Sequence, residues 1–298
     1  MRLRRRTATA FQGFWHGPPL GAVREACLRS FVDSGYRFHL YTYDVVDVPD
    51  GITLMDADRV LPRAELFHFE NPYTGHPDLG PFSDVFRFRL LAASGGWWSD
   101  VDTVCLSPDI PEVDTAWAQE NPEAAPRAVG TSQLALRAGS DLVQRLDAEC
   151  FALSRAPLEF REVLGPKLLT RVIDELGLPP SNFGSADTFY PVRWIEAFKL
   201  WLPQYSDEIA AKTEAAMFLP LYQSFPQYLG LDIGKLPPTG SFLADLCQRF
   251  GTDDTLGPRH DPDDVIAGVH RFFSTHEWAM QELETVAGRG TLSALERS

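Results

Sequence analysis

Cysteine is scarce in this chain, and its four residues, Cys27, Cys105, Cys150 and Cys247, form no CxxC pair. That spacing argues against a zinc knuckle or a dithiol redox centre. Buried or half-buried thiols in a reducing cytoplasm are the simpler expectation. Positive charge is also in deficit: 27 basic against 41 acidic residues give a formal charge of -14. A chain this acidic lacks the basic face that phosphate backbones require, which excludes general nucleic-acid binding. Any phosphate it holds must be met by a metal and a few arginines. No apolar run approaches the ~20 residues of a membrane helix. Met1-Arg2-Leu3-Arg4-Arg5-Arg6 is basic like the start of a signal peptide, yet polar and small residues from Thr7 to Gly13 stand where an apolar stretch would have to follow. The expectation is a cytoplasmic protein with no transmembrane segment. Peripheral contact with the inner face of a membrane, whose lipid would carry the substrate, stays compatible with that. Internal repeats and low-complexity tracts are missing too.

What is present points to an α/β fold. The 298 residues, 44% hydrophobic and 23% charged, suffice for one large α/β domain or two small ones. Gln12 to Trp15 is a short apolar strand closed by His16-Gly17-Pro18-Pro19, a turn signal. Val23, Cys27, Leu28 and Phe31 recur at helical spacing over Gly21 to Asp33, with Gly35 as the cap, and Arg37 to Tyr43 alternates like a strand. Strand, helix, strand in that order is the unit of a parallel sheet. Asn71 to Pro81 reads as a loop, Ser83 to Ser94 as a helix stopped by Gly95-Gly96, and Trp97 to Leu106 as one strand. The second half is more helical, with helices over Leu142 to Phe151, Leu168 to Leu176 and Trp194 to Leu202. No linker marks an independent domain.

Four patches carry the chemistry. The first is Ser99-Asp100-Val101-Asp102, after Gly95-Gly96-Trp97-Trp98. In an extended segment, carboxylates one residue apart point the same way. Converging carboxylate oxygens suit Mn²⁺ or Mg²⁺, which complete their shell with substrate phosphates and water. A solvated strand end produces the same pattern, but two glycines and two tryptophans argue against a casual surface patch. The second is Ser83-Asp84-Val85-Phe86-Arg87, where Asp84 and Arg87 share a helix face and could offer a sugar hydroxyl an acceptor and a donor; Ser83 or Asp84 could equally cap the helix. The third is Phe14-Trp15-His16-Gly17, in which Trp15 either stacks on a nucleobase or belongs to the core. The fourth runs from Gly268 to Trp278, where His270, close to a strand end, is either a third metal ligand or a structural histidine.

In this order the patches resemble the bacterial glycosyltransferases with a DXD sugar-binding region, the family 32 type related to the α-1,4-glycosyltransferases. The likeness is dense over the first 110 residues and thin from there to about residue 280. It implies a Rossmann-like GT-A fold: a mainly parallel central sheet flanked by helices, a nucleotide-sugar part over about 9–110 and an acceptor-side helical part over about 111–280 of one catalytic domain. It further implies a UDP-sugar or GDP-sugar donor with Mn²⁺ or Mg²⁺, a glycan or lipid-linked acceptor as in polysaccharide biosynthesis, and retention of anomeric configuration. On the matching positions Trp15 would stack on the base, with His16 and Gly17 beside it. Ser83, Asp84, Arg87, Trp98 and Ser99 would border the donor. Asp100 would bind ribose and metal, Asp102 would be the surer metal ligand, and Asp100, Asp102 and Arg87 would form the catalytic set. His270 would be a further ligand, with Ser274 and Trp278 closing over it.

Two other classes compete. Asp100-Val101-Asp102-Thr103-Val104 fits the D-x-D-x-[TV] loop of haloacid-dehalogenase-like phosphatases, with Asp100 as nucleophile and Asp102 as acid/base. Lys167 and Asp253-Asp254 or Asp263-Asp264 would then supply the remaining groups. A non-catalytic protein binding sugar nucleotides is the third class.

Overall fold

The computed structural model describes residues 9–123, 127–253, 257–288 and 291–292, so the basic amino terminus and Asp254 lie outside the described residues. Strand β1 (Ala10–Trp15) is followed by helix α1 (Gly21–Asp33), β2 (Arg37–Thr42) and β3 (Ile52–Asp56). A two-residue hairpin, β4 (Phe69–Glu70) with β5 (Pro77–Asp78), interrupts what the sequence suggested was loop alone. Helix α2 (Gly80–Ser94) then leads into β6 (Gly96–Ser99), β7 (Thr103–Cys105) and β8 (Gln133–Leu136). Helices α3 (Asp141–Leu153) and α4 (Pro166–Glu175) follow.

The central sheet has the order β3-β2-β1-β6-β8. Its first four strands run parallel and β8 closes the edge antiparallel to β6. This is a Rossmann-like α/β arrangement, with helices on both faces. Alternation explains the layering: Phe11 and Trp97 face α1 and pack with Leu28, Phe31 and Phe38, while Phe14 and Trp98 face the other way onto Phe82 and Phe86 of α2 and onto α3 and α4. The adjacent tryptophans that draw attention in the sequence therefore fill opposite cores, and both are buried.

Helix α2 begins three residues earlier than the Ser83 start expected. Pro81 in its first turn supplies a helical φ at no hydrogen-bond cost, and the Asp78 carboxylate accepts from the Gly80 N–H at 2.7 Å. Ser83 lies inside the first turn and is not the cap. Gly95, at φ 62°, stops the helix and turns the chain into β6.

The carboxy-terminal half is helical, as expected. It comprises α5 (Ala186–Phe189), a 3₁₀ segment Trp194–Trp201, α6 (Ser206–Thr213), strand β9 (Phe218–Pro220), α7 (Phe225–Tyr228), α8 (Phe242–Arg249), α9 (Pro262–Thr275) and α10 (Glu277–Ala287). Its apolar cluster around Phe198, Trp201, Phe225 and Phe272 also takes in Val23, Ala26 and Cys27 of α1 and Val104 of β7. Strand β9 pairs antiparallel with β7 and so reaches back to the segment after the acidic motif. Among the described residues no helix is long and apolar enough to cross a membrane.

Candidate functional site

The sheet reverses direction of growth at β1: β2 and β3 lie on one side of it and β6 on the other. Ligands of open parallel sheets bind outside the carboxyl ends of the strands at such a switch. The residues that leave those ends are Trp15-His16-Gly17 after β1 and Asp100-Val101-Asp102 after β6.

The acidic motif is not extended. Expected within one strand, Asp100 to Thr103 instead makes a turn between β6 and β7, closed by the Thr103 N–H donating to the Asp100 carbonyl at 3.1 Å. Period-two alternation is therefore not what relates the two carboxylates. They still sense each other across the turn: burial first, and then the Asp100 charge, push the Asp102 carboxyl up.

Each aspartate is held differently. Asp100 Oδ1 accepts from Arg87 Nη2 at 2.7 Å and from Trp98 Nε1 at 2.7 Å. Arg87 is 3% exposed, lies 4.8 Å from the Trp98 ring centroid, and turns its other terminal nitrogen to Asp84. Burial alone would lower its pKa, but Asp100 and Asp84 outweigh that and raise it. Asp84 is buried and pushed up to about 6 by that burial despite Arg87, with Asp100 adding to the rise. Its carboxylate sits against Gly165 just before α4, where a Cβ would come within 2.4 Å of an Asp84 oxygen.

Asp102 is gripped from far along the chain. Its Oδ2 accepts from the Gln223 N–H at 2.9 Å and its carbonyl from the Leu221 N–H at 2.8 Å. Between them Tyr222 takes φ 50°, a left-handed conformation that costs a tyrosine about 1–3 kcal/mol. That strained residue lets both flanking N–H groups reach Asp102.

Trp15, His16 and Gly17 line a cleft of about 200 Å³ with Pro19, Thr42 and Asp44. His16 Nδ1 lies 3.3 Å from Asp44, which also takes Arg63 at 2.6 Å. The Arg24 guanidinium lies 4.7 Å from the Trp15 ring centroid and senses Asp102, although burial lowers its pKa. Arg24 thus links the cleft to the acidic turn. Across the turn, Glu120 is pushed up to about 7 by burial, then by Glu282 and Asp100, with Arg161 and Arg193 opposing.

Several expected site residues sit behind the aspartates or away from them. Trp98 and Ser99 are fully buried, the first bonded to Asp100 and the second, through Oγ, to the Asp100 carbonyl at 3.1 Å. Arg87 is buried, with its two terminal nitrogens on Asp84 and Asp100, so it positions Asp100. His270 lies within α9, not near a strand end, and among the described residues no group of three or more His, Cys, Asp or Glu side chains gathers as a metal cluster. Ser274 is exposed on α9 and bonds the Arg271 carbonyl; Trp278 is exposed on α10. Of the groups a phosphatase would need, Lys167 pairs with Glu162 over the Phe160 ring and Asp253 with Arg259, whereas Asp263 and Asp264 are exposed in the first turn of α9.

Arg24, Glu120, Tyr222 and Gln223 were not singled out in the sequence. Only Arg24 carried a local signal, lying in the first turn of a helix that follows a parallel strand, where anions bind.

Asp100 and Asp102 present carboxylate oxygens from one turn, the oxygen chemistry a hard divalent cation takes; Thr103 Oγ1 and the N–H donors Gln223 Nε2 and Arg87 Nε are buried without protein partners among the described residues. No family model matches the chain, and neither does any curated protein. Among solved structures, one described as "PaToxG Glycosyltransferase" is similar with a TM-score of 0.39 and 10% identity, over 84% of this chain and 87% of that one.

Proposed function

We propose that this chain is a glycosyltransferase that uses a nucleoside-diphosphate sugar, a UDP-sugar by preference, together with Mn²⁺ or Mg²⁺. The observation that carries the reading is the pair Asp100 and Asp102, held by separate devices in one turn at the switch point of the sheet. Burial and the neighbouring Asp100 charge raise the Asp102 carboxyl, and a divalent ion between the two would favour its ionised form. Such an ion would supply neutralisation of the leaving diphosphate.

The protein's own groups divide the remaining tasks. Arg87 and Trp98 fix the Asp100 carboxylate, and the Gln223 N–H fixes Asp102, so neither needs to reorganise when a donor arrives. The cleft at Trp15 offers an aromatic face to a base, and Arg24 stands between that cleft and the turn, where phosphates would lie.

The test is nucleotide release from a panel of UDP- and GDP-sugars in Mn²⁺. Wild type should release UDP or GDP, and Asp102→Asn, which keeps an acceptor for Gln223, should lose at least 100-fold while remaining folded. Wild-type rates in that variant would reject the assignment. Phosphate release from a monoester instead would favour the phosphatase reading, and binding without release a non-catalytic one.

A further inference from the structure

Aromatic side chains gather at the junction of α9 and α10. Trp278 is 44% exposed and stacks on Trp194 at 6.1 Å with an interplanar angle of 17°. Tyr73, in the β4–β5 hairpin, is 51% exposed and lies 5.8 Å from His276 and 6.4 Å from Tyr228. Asn71 Nδ2 ties that hairpin to the Tyr228 hydroxyl at 3.1 Å. His276 in turn lies 6.3 Å from Trp278, so the exposed rings form one ledge. Contiguous exposed apolar surface rimmed by polar groups marks interaction sites, unlike single exposed apolar residues.

Polar groups run from this ledge to the acidic turn. Trp278 and Glu282 are four apart on α10 and share a face. Glu282 Oε1 accepts from Asn121 Nδ2 at 2.8 Å; Asn121 is only 8% exposed, and its Oδ1 has no partner. A buried amide oxygen left unmet costs about 1–3 kcal/mol, which a ligand hydroxyl would recover. Glu120, next in the chain, senses both Glu282 and Asp100. Arg161 senses Tyr228 on the ledge side and Asp84 on the other.

Resting on the transferase reading, we propose that Tyr73, His276 and Trp278 hold the acceptor as a neutral pyranose sugar, whose hydroxyls are met by Glu282 and Asn121. A pyranose combines a C–H face that packs on aromatic rings with hydroxyls that donate to carboxylates and amide oxygens. The Glu282 carboxylate, on the helix that carries Trp278, turns away uronic acids and phosphorylated sugars.

The experiment measures binding without a donor. Wild type is titrated with gluco-, manno-, galacto- and N-acetylglucosamine oligosaccharides and with oligogalacturonate, alongside Tyr73→Ala, Trp278→Ala and Glu282→Gln. At least one neutral oligomer should bind, oligogalacturonate should not, and each variant should weaken binding at least tenfold. The ledge is overturned if no neutral oligomer binds at millimolar concentration, if oligogalacturonate binds as well, or if folded Tyr73→Ala and Trp278→Ala both bind like wild type. Nucleotide release by wild type is scored separately. A protein that binds sugar through these rings yet releases no nucleotide keeps the ledge and refutes the transferase, whereas release without sugar binding does the reverse.

Discussion

Arg87 shows how a residue legible in sequence can change meaning in the fold. Its spacing from Asp84 correctly placed both on one helix face, and they do pair. What the spacing did not show is that Trp98 covers the guanidinium and that Asp100 takes its other end. Arg87→Ala would leave two carboxylates without their cation, and removing one partner of a buried pair costs about 3–5 kcal/mol. Urea denaturation of that variant should show a loss of this size, and a loss below about 1 kcal/mol, the worth of an exposed pair, would remove Arg87 from its clamping role. Glu120 and Gln223 had no legible signal. Each acquires its place through a chain crossing more than 15 residues from Asp100 or Asp102, and no local pattern encodes that.

At the level of elements, the amphipathic periods were read well because burial of one face dictates them. Helix α1 has the bounds its apolar spacing gave, and the β1–β2 pair follows its alternation. The acidic strand failed for an equally physical reason. A run of β-branched and aromatic residues on either side gave no sign of the turn at Asp100 to Thr103, whose conformation is maintained by Ser132, just before β8, and by Leu221 and Gln223 after β9. The start of α4 provides a test of how tightly elements meet at the site. Gly165→Ala would drive a methyl into the Asp84 carboxylate, and such overpacking typically costs about 1–3 kcal/mol. Chemical denaturation should show that loss, together with weaker donor turnover as Asp84 and Arg87 shift. An alanine as stable and active as glycine would mean the contact is loose.

For the molecule as a whole, the raised carboxyls set a pH dependence. Glu120 at about 7 and Asp84 at about 6 keep protons in the native protein that the unfolded chain has already released above their ordinary values of 4.5 and 3.8. Stability should therefore fall as pH rises from about 5 through 7 and level off beyond. His39, lowered by burial and Arg37, opposes part of this, while the exposed, depressed Glu149 and Glu175 matter only below that window. Thermal melts should show a higher midpoint at pH 5.5 than at pH 8 without added metal. Mn²⁺ should raise the midpoint more at pH 8, where it meets no competing proton, and an equal rise at both values would refute carboxylate ligation. The hold of Leu221 and Gln223 on Asp102, with β9 laid beside β7, bears on how the molecule is made. About 120 residues separate the gripping backbone from the carboxylate it grips, a loop closure that is slow and comes late. A ribosome that has delivered only the first sheet has thus delivered an acidic turn still missing its clasp. On the transferase reading, cutting the chain between Cys105 and Phe218 should abolish nucleotide release even if the fragments stay associated, because the backbone that holds Asp102 lies on the far side of the cut.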